Sequence, residues 1–137
     1  MAQTLPDDPQ QLALGIGAGV LSFLLGLALI ALVVVDAVDV LSHPAVAGGL
    51  IGVVFAYGVA GLYELVARGV PRRGVADLFV SAGLVLALLA PYGDPARGFA
   101  ATGAVALLVS AVYHGALAAD LIATDEDPAV GADGEEA

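Results

Sequence analysis

The feature that most constrains the fold is an uncharged apolar run from Leu12 to Val35. At about 1.5 Å of rise per residue, a helix over this run is about 36 Å long, enough to cross a bilayer with some tilt. Three more apolar segments follow, and 60% of the 137 residues are hydrophobic. A soluble domain of this size could not bury so much apolar surface, so the sequence predicts a membrane protein.

Charged and proline-rich breaks divide the chain into four predicted spans. We expect a disordered lead-in over 1–11, membrane helices over about 12–35, 45–67, 75–92 and 99–123, and a disordered acidic tail over 124–137. The acidic start and long first run favour an uncleaved span over a secretory signal. Short connectors make consecutive helices antiparallel. The predicted fold class is therefore an all-α integral membrane protein, an antiparallel four-transmembrane-helix bundle with short loops.

The third span is the weakest of the four. Its uncharged core, Leu78 to Ala90, is short, and the segment spans a bilayer only if Asp77 extends to the near interface. A buried helix of a soluble domain is the alternative for this segment, but three neighbouring spans favour a membrane helix.

The arginines predict the orientation. Arg68, Arg72 and Arg73 lie between the second and third spans, and Arg97 lies alone between the third and fourth. The positive-inside rule places the loop with three arginines in the cytoplasm and the loop with Arg97 outside. With an even number of spans, we expect a multi-pass protein of the cell membrane with both termini cytoplasmic.

Composition narrows the possible functions. Four arginines, no lysine and 14 acidic residues give a net charge of −10, which resembles membrane proteins of organisms adapted to high salt and lacks the basic patch that nucleic acid requires. The absence of cysteine excludes disulfides and thiolate chemistry. We find no phosphate-binding loop, nucleophile elbow or pair of hydrolytic acids, so we expect no enzymatic activity and no cofactor.

Small residues recur at helical spacing and predict close helix packing. The set in the first two spans is Gly15, Gly19, Ser22, Gly26, Gly48 and Gly52. Those in the first span lie within roughly 60° on one helix face, which gives a neighbouring backbone a smooth groove. We expect this packing to occur within the bundle, in a homo-oligomer or in a larger membrane complex.

Polar residues near the Arg-rich side form a candidate intramembrane cluster. Its members are Tyr57, Glu64, Asp77, Ser110, Tyr113, His114 and Asp120. Glu64 precedes Arg68 by four residues, the favoured order for a helical ion pair, and Arg73 has the same spacing to Asp77 in reverse. One interpretation is that Arg68, Arg72 and Arg73 are interface anchors paired with these acids, and the other is an ion or proton vestibule.

His114 falls near mid-membrane, where an ionisable group is a functional candidate. The alternative is a neutral histidine bonded to a serine or a carbonyl, since we expect no charged residue at its depth. His43 belongs to the opposite connector, so the two histidines do not fit one bis-histidine haem, although a single ligand to a shared haem stays open. Asp36, Asp39 and His43 could hold a divalent cation, but a solvated helix cap is the more common arrangement, and we predict no metal site.

A weak internal repeat appears at an offset of 56 residues, which places Tyr57 over Tyr113 and Glu64 over Asp120. Duplication and chance similarity of apolar sequence both explain it. The leading functional hypothesis is a non-enzymatic accessory or scaffold subunit that acts through helix packing. The alternative is a small channel or proton-coupled transporter that uses the polar cluster.

Overall fold

The computed structural model describes residues 9–93 and 95–126, without the side chains of residues 96 and 121–126. Its long helices are α1 (Pro9–Val34), α2 (Pro44–Val66), α3 (Pro71–Leu89) and α4 (Ala96–Glu126), with short 3-10 helices at Val38–Ser42 and Ala90–Tyr92. All four long helices are apolar enough to span a bilayer. The prediction of four helices able to cross a membrane is confirmed for this part of the chain.

The helix ends follow from local sequence. α2 and α3 both begin at a proline, which fits the first turn of a helix because it has no N–H to leave unpaired. Gly69 has φ +64°, a conformation that glycine adopts at little cost, and the chain turns there from α2 into α3. The predicted disorder of 1–8 and 127–137 lies outside the described residues, whereas α1 already begins at Pro9 and α4 continues to Glu126.

The helices pack in the spatial order α2, α3, α4, α1. Each neighbouring pair is antiparallel: Gly61 lies against Gly74, Gly83 against Gly103, and Gly26 against Leu108. The backbones of α1 and α2 do not pack against each other. The bundle is therefore open along one side, between its first and second helices.

Small residues bring the packed helices into backbone contact. A Cβ on Gly103 would lie 2.5 Å from the carbonyl oxygen of Gly83, and one on Gly74 would lie 2.7 Å from that of Gly61. Gly19 and Gly26 lie against α4 in the same way, with Ser22 fully buried between them. Much of the small-residue surface is thus used within the chain.

Three glycines of the predicted packing set do not contact a neighbouring helix of this chain. A Cβ added at Gly15, Gly48 or Gly52 would meet no atom within 4 Å. These positions face open space in the single chain, so a partner helix for them would have to come from outside it.

The end of the bundle opposite the arginine loop is closed. Val38 and Leu41 of the first connector are buried against Leu29, and this cluster continues through Ala90 and Ala104. On the surface above it, Arg97 Nη2 lies 2.8 Å from Asp36 Oδ1. The connectors therefore seal this end, and the opening between α1 and α2 lies toward the arginine loop.

Candidate functional site

Two titratable side chains meet inside the bundle. Asp77 of α3 and His114 of α4 are in direct contact, with 3.0 Å between Oδ1 and Nε2. Their side chains are 8% and 1% exposed. Charged groups are rarely buried to this degree in a membrane helix without a partner, and here each is the partner of the other.

Ser110 holds the other side of the imidazole. His114 Nδ1 lies 2.9 Å from the backbone oxygen of Ser110 and 3.1 Å from its hydroxyl. The Ser110 hydroxyl donates in turn to the carbonyl oxygen of Ala76, at 2.8 Å. The ring orientation is thereby fixed by α4 itself and by a link across to α3.

These contacts determine where the imidazole protons lie. A carbonyl oxygen can only accept a hydrogen bond, so its 2.9 Å approach requires a proton on Nδ1. A neutral ring with that tautomer has a lone pair on Nε2, which would face the Asp77 carboxylate at 3.0 Å. With Nδ1–H donating to the Ser110 carbonyl oxygen, the 3.0 Å contact is a hydrogen bond only when a second proton lies between Nε2 and Oδ1, either as imidazolium and carboxylate or as imidazole and carboxylic acid.

The shared proton makes the buried pair electrically neutral. Its loss would leave a net negative charge on the buried pair, which is costly in a low-dielectric environment unless a nearby cation compensates it. Asp77 and His114 therefore form a candidate proton-binding site in the interior of the bundle.

Tyr57 of α2 faces this pair from the open side of the bundle. Its hydroxyl lies near Ser22 of α1 and within electrostatic range of the Asp77 carboxylate. Ser22 itself donates to the carbonyl oxygen of Ala18, at 2.8 Å. Tyr57 thus places its hydroxyl near the Asp77 carboxylate and also near Ser22 of α1.

A cleft of about 360 Å³ lies between α1 and α2 and reaches Asp77. Its lining residues are Ala13, Leu14, Gly17, Ala18, Leu21, Ala56, Tyr57, Ala60, Arg73 and Asp77. The walls are mostly apolar, and the polar groups are the Tyr57 hydroxyl on α2 and the Arg73 and Asp77 side chains on α3. A second groove of about 320 Å³, between α1 and α4, is lined by apolar residues and Gly without a titratable side chain.

Arg73 is adjacent to both members of the pair. It lines the large cleft with Asp77 and also a hollow of about 30 Å³ with His114. The spacing that offered Arg73 as the partner of Asp77 is not used, because the carboxylate bonds His114 instead. The interpretation of Asp77 as an anchor that extends to the interface is wrong, since its side chain is buried.

The rest of the predicted cluster lies apart from this pair. Glu64 bonds Arg68 at 3.1 Å, as the helical spacing predicts. Asp120 is 4.0 Å from Arg72, and both side chains are largely exposed. Tyr113 is 43% exposed on α4. Positions that the 56-residue offset superposes therefore have different surroundings.

The expectation that His114 has no charged residue at its depth is also wrong. The sequence predicts a third span that begins at residue 75, which would leave Asp77 at the membrane interface. The helix begins at Pro71, so Asp77 lies about 9 Å into it. Proline at the first helical position was the signal that could have placed Asp77 correctly.

The polar residues of the far connector act locally. The Ala45 N–H donates to His43 Nδ1 at 3.3 Å, which makes His43 the cap of α2. Asp36 pairs with Arg97, and the Ser42 hydroxyl donates to the backbone of Asp39. Among the side chains that the structure describes, no three from histidine or acidic residues are grouped to hold a metal ion.

Comparison with known proteins gives no further assignment. The chain matches no protein-family model, no curated protein and no solved structure. Its function must be argued from the site itself, a proton-binding pair at the floor of a one-sided cleft.

Proposed function

We propose that this protein is a small non-enzymatic membrane carrier that moves protons, alone or with a solute. The single observation that carries the proposal is the buried contact between Asp77 and His114, which holds one proton beside the cleft. Intramembrane ionisable residues that face a cavity mark proton or substrate pathways in many transporters.

The shape of the cavity favours a carrier over a channel. Beyond Tyr57 the interior is filled by Val80, Leu84 and Leu107, against which Leu25 and Leu50 pack. The far end is sealed by the connectors. A channel needs a continuous path, whereas a carrier is open on one side at a time. To change that side, α1 would have to shift on α4 or α2 on α3, because the backbones of α1 and α2 do not pack against each other.

The positive-inside rule gives this carrier a direction. The cleft opens toward the end of the bundle that carries Arg68, Arg72 and Arg73, which the rule assigns to the cytoplasm. In this arrangement the Asp77 and His114 pair exchanges its proton with the cytoplasm.

Proton flux in liposomes tests the proposal. Purified protein is reconstituted with a pH-sensitive dye inside, and a membrane potential drives protons inward. We expect an internal pH change several-fold faster than in protein-free liposomes, and Asp77→Asn should return the rate to background. Asp39→Asn is the matched control, because Asp39 is exposed in the far connector. Equal flux in wild type and Asp77→Asn would refute the proposal.

A second candidate, an accessory or scaffold subunit, rests on one face of α2. Gly48 and Gly52 are open and lie beside the exposed side chains of Ile51 and Phe55. This small-xxx-small spacing suits a helix of a second copy or of a larger complex. Native mass spectrometry from mild detergent would detect the oligomer, and Gly52→Leu should dissociate it. A wild-type monomer without co-purifying protein would contradict this candidate.

A further inference from the structure

Arg73 is a cation beside the cleft without a charge partner in the described part of the chain. Its i+4 neighbour Asp77 bonds His114, and no ion pair joins Arg73 to any side chain that the structure describes, a set that ends at Asp120 and so leaves out Asp125 and Glu126. Arg68 and Arg72, by contrast, each lie within 4.0 Å of an acidic side chain. With the proton bound, the Asp77 and His114 pair is neutral, so the guanidinium is the uncompensated charge of the cleft.

The surroundings of Arg73 favour an anion. Arg73 lies in the first turn of α3, where the free N–H groups and the helix dipole attract negative charge. The N-cap residue of α3, Val70, makes no side-chain hydrogen bond to these N–H groups. A guanidinium presents several N–H donors in a planar fork that matches a carboxylate in two parallel hydrogen bonds.

The walls of the cleft indicate that the rest of the ligand is apolar. Ala13, Gly17 and Leu21 on one side and Ala56 and Ala60 on the other are apolar. The volume of about 360 Å³ is near the lower end of the range for small-molecule sites, which favours one acyl chain or ring over a two-chain phospholipid. The gap between α1 and α2 is open to the bilayer side of the bundle.

We propose that the cleft binds an amphipathic monocarboxylate from the bilayer, with its carboxylate on Arg73 and its apolar body between α1 and α2. This names the substrate class of the proposed carrier and, as a substrate assignment, rests on that function.

Binding is tested on the purified full-length chain in a neutral detergent, with dansyl-labelled undecanoate as the fluorescent probe. We expect saturable binding that Arg73→Gln weakens about tenfold or more, the usual loss for a charge-assisted hydrogen bond. Arg72→Gln is the matched control and should bind normally, because Arg72 is exposed and lies near Asp120. The corresponding dansyl alcohol should bind wild type and Arg73→Gln equally weakly.

A second pair of variants tests the apolar half of the site. A Cβ at Gly17 or Gly115 would meet no atom within 4 Å, so a larger side chain can start from either position without a clash at its Cβ. Gly17→Leu fills the proposed cleft and should abolish probe binding, whereas Gly115→Leu enters the other groove and should preserve it.

Three results would overturn the inference: equal binding by wild type and Arg73→Gln, equal effects of the two leucine variants, or displacement of the probe by phosphatidylglycerol but not by undecanoate. Proton flux in liposomes separates this inference from the proposed function. Flux without carboxylate binding would reject the ligand alone, and binding without flux would reject the carrier alone.

Discussion

At the scale of single residues, the buried contact between Asp77 and His114 determines the chemistry available to this protein. Hydrogen-bond acceptors occupy the Nδ1 side of the ring, and a carboxylate faces Nε2. Neither group alone requires a bound proton, but the two together do. The proton site is therefore a property of the pair and of the carbonyl oxygen behind it.

The tautomer of His114 is a direct prediction of this geometry. The chain has two histidines, so nitrogen NMR of a histidine-labelled sample gives two ring systems, and His114→Gln assigns them. We expect His114 to carry its proton on Nδ1 in every state. In Asp77→Asn, the amide can donate to Nε2, and the ring should become a neutral Nδ1–H imidazole. A neutral ring protonated on Nε2 would contradict the hydrogen-bond assignment.

The energetic coupling of the pair is a second residue-scale prediction. Asp77→Ala and His114→Ala should each lower the free energy of unfolding by about 1–3 kcal/mol, because each leaves the other group buried without its partner. The double variant should cost less than the sum, since it strands neither group. Unfolding in a detergent titration measures all three, with Asp39→Ala as the exposed control. Strict additivity would mean that the two side chains do not interact.

At the scale of elements, glycine determines which helices touch. The carbonyl oxygens of Gly83 and Gly103 face each other's Cα atoms across the α3 and α4 interface, too close for a side chain. The same contact holds Asp77 and His114 at hydrogen-bond distance, because both lie on these two helices. Helix packing and the proton site thus depend on the same close approach.

A glycine series tests this dependence. Gly83→Ala should destabilise the protein by about 1–3 kcal/mol, since its Cβ would lie 2.8 Å from the oxygen of Gly103 and force the helices apart. Gly52→Ala should be neutral or slightly stabilising, because a Cβ there meets no atom and alanine favours the helix. Thermal unfolding in detergent compares the two. Equal stability of both variants would argue against the α3 and α4 contact.

At the scale of the whole molecule, the residues that the structure describes close the bundle at one end and leave it open at the other. The 3-10 connectors bury Val38 and Leu41 at the far end, while the arginine loop is a tight turn that covers nothing between α1 and α2. Because only one end is open, the cleft is accessible from one side of the membrane. The orientation of the chain decides which compartment that side faces.

Cysteine labelling tests that orientation. The chain has no cysteine, so single variants are clean probes. We expect a membrane-impermeant maleimide to label Ser42→Cys in intact cells and to label Thr124→Cys only after permeabilisation. The reverse pattern would place the arginine loop and the cleft outside.

Local sequence predicted the interactions that lie within one helix. The ion pair of Glu64 and Arg68 formed as expected, because residues four apart on a helix are always neighbours. The pair of Arg73 and Asp77 did not form, although its spacing is the same. A histidine 37 residues away competes for the carboxylate, and spacing along one helix contains no information about such a partner.

The sequence by itself determined that this chain forms four apolar helices able to span a membrane, because hydrophobic length and proline or glycine breaks act locally. Only the tertiary structure decided which small-residue faces meet within the chain, that α1 and α2 stay apart, and that Asp77 reaches His114. Those outcomes depend on how four similar apolar surfaces share their contacts, and every span offers the same kind of surface. The depth and rotation of α3 and α4, which sequence periodicity does not specify, place Asp77 against His114 inside the bundle and not at the loop.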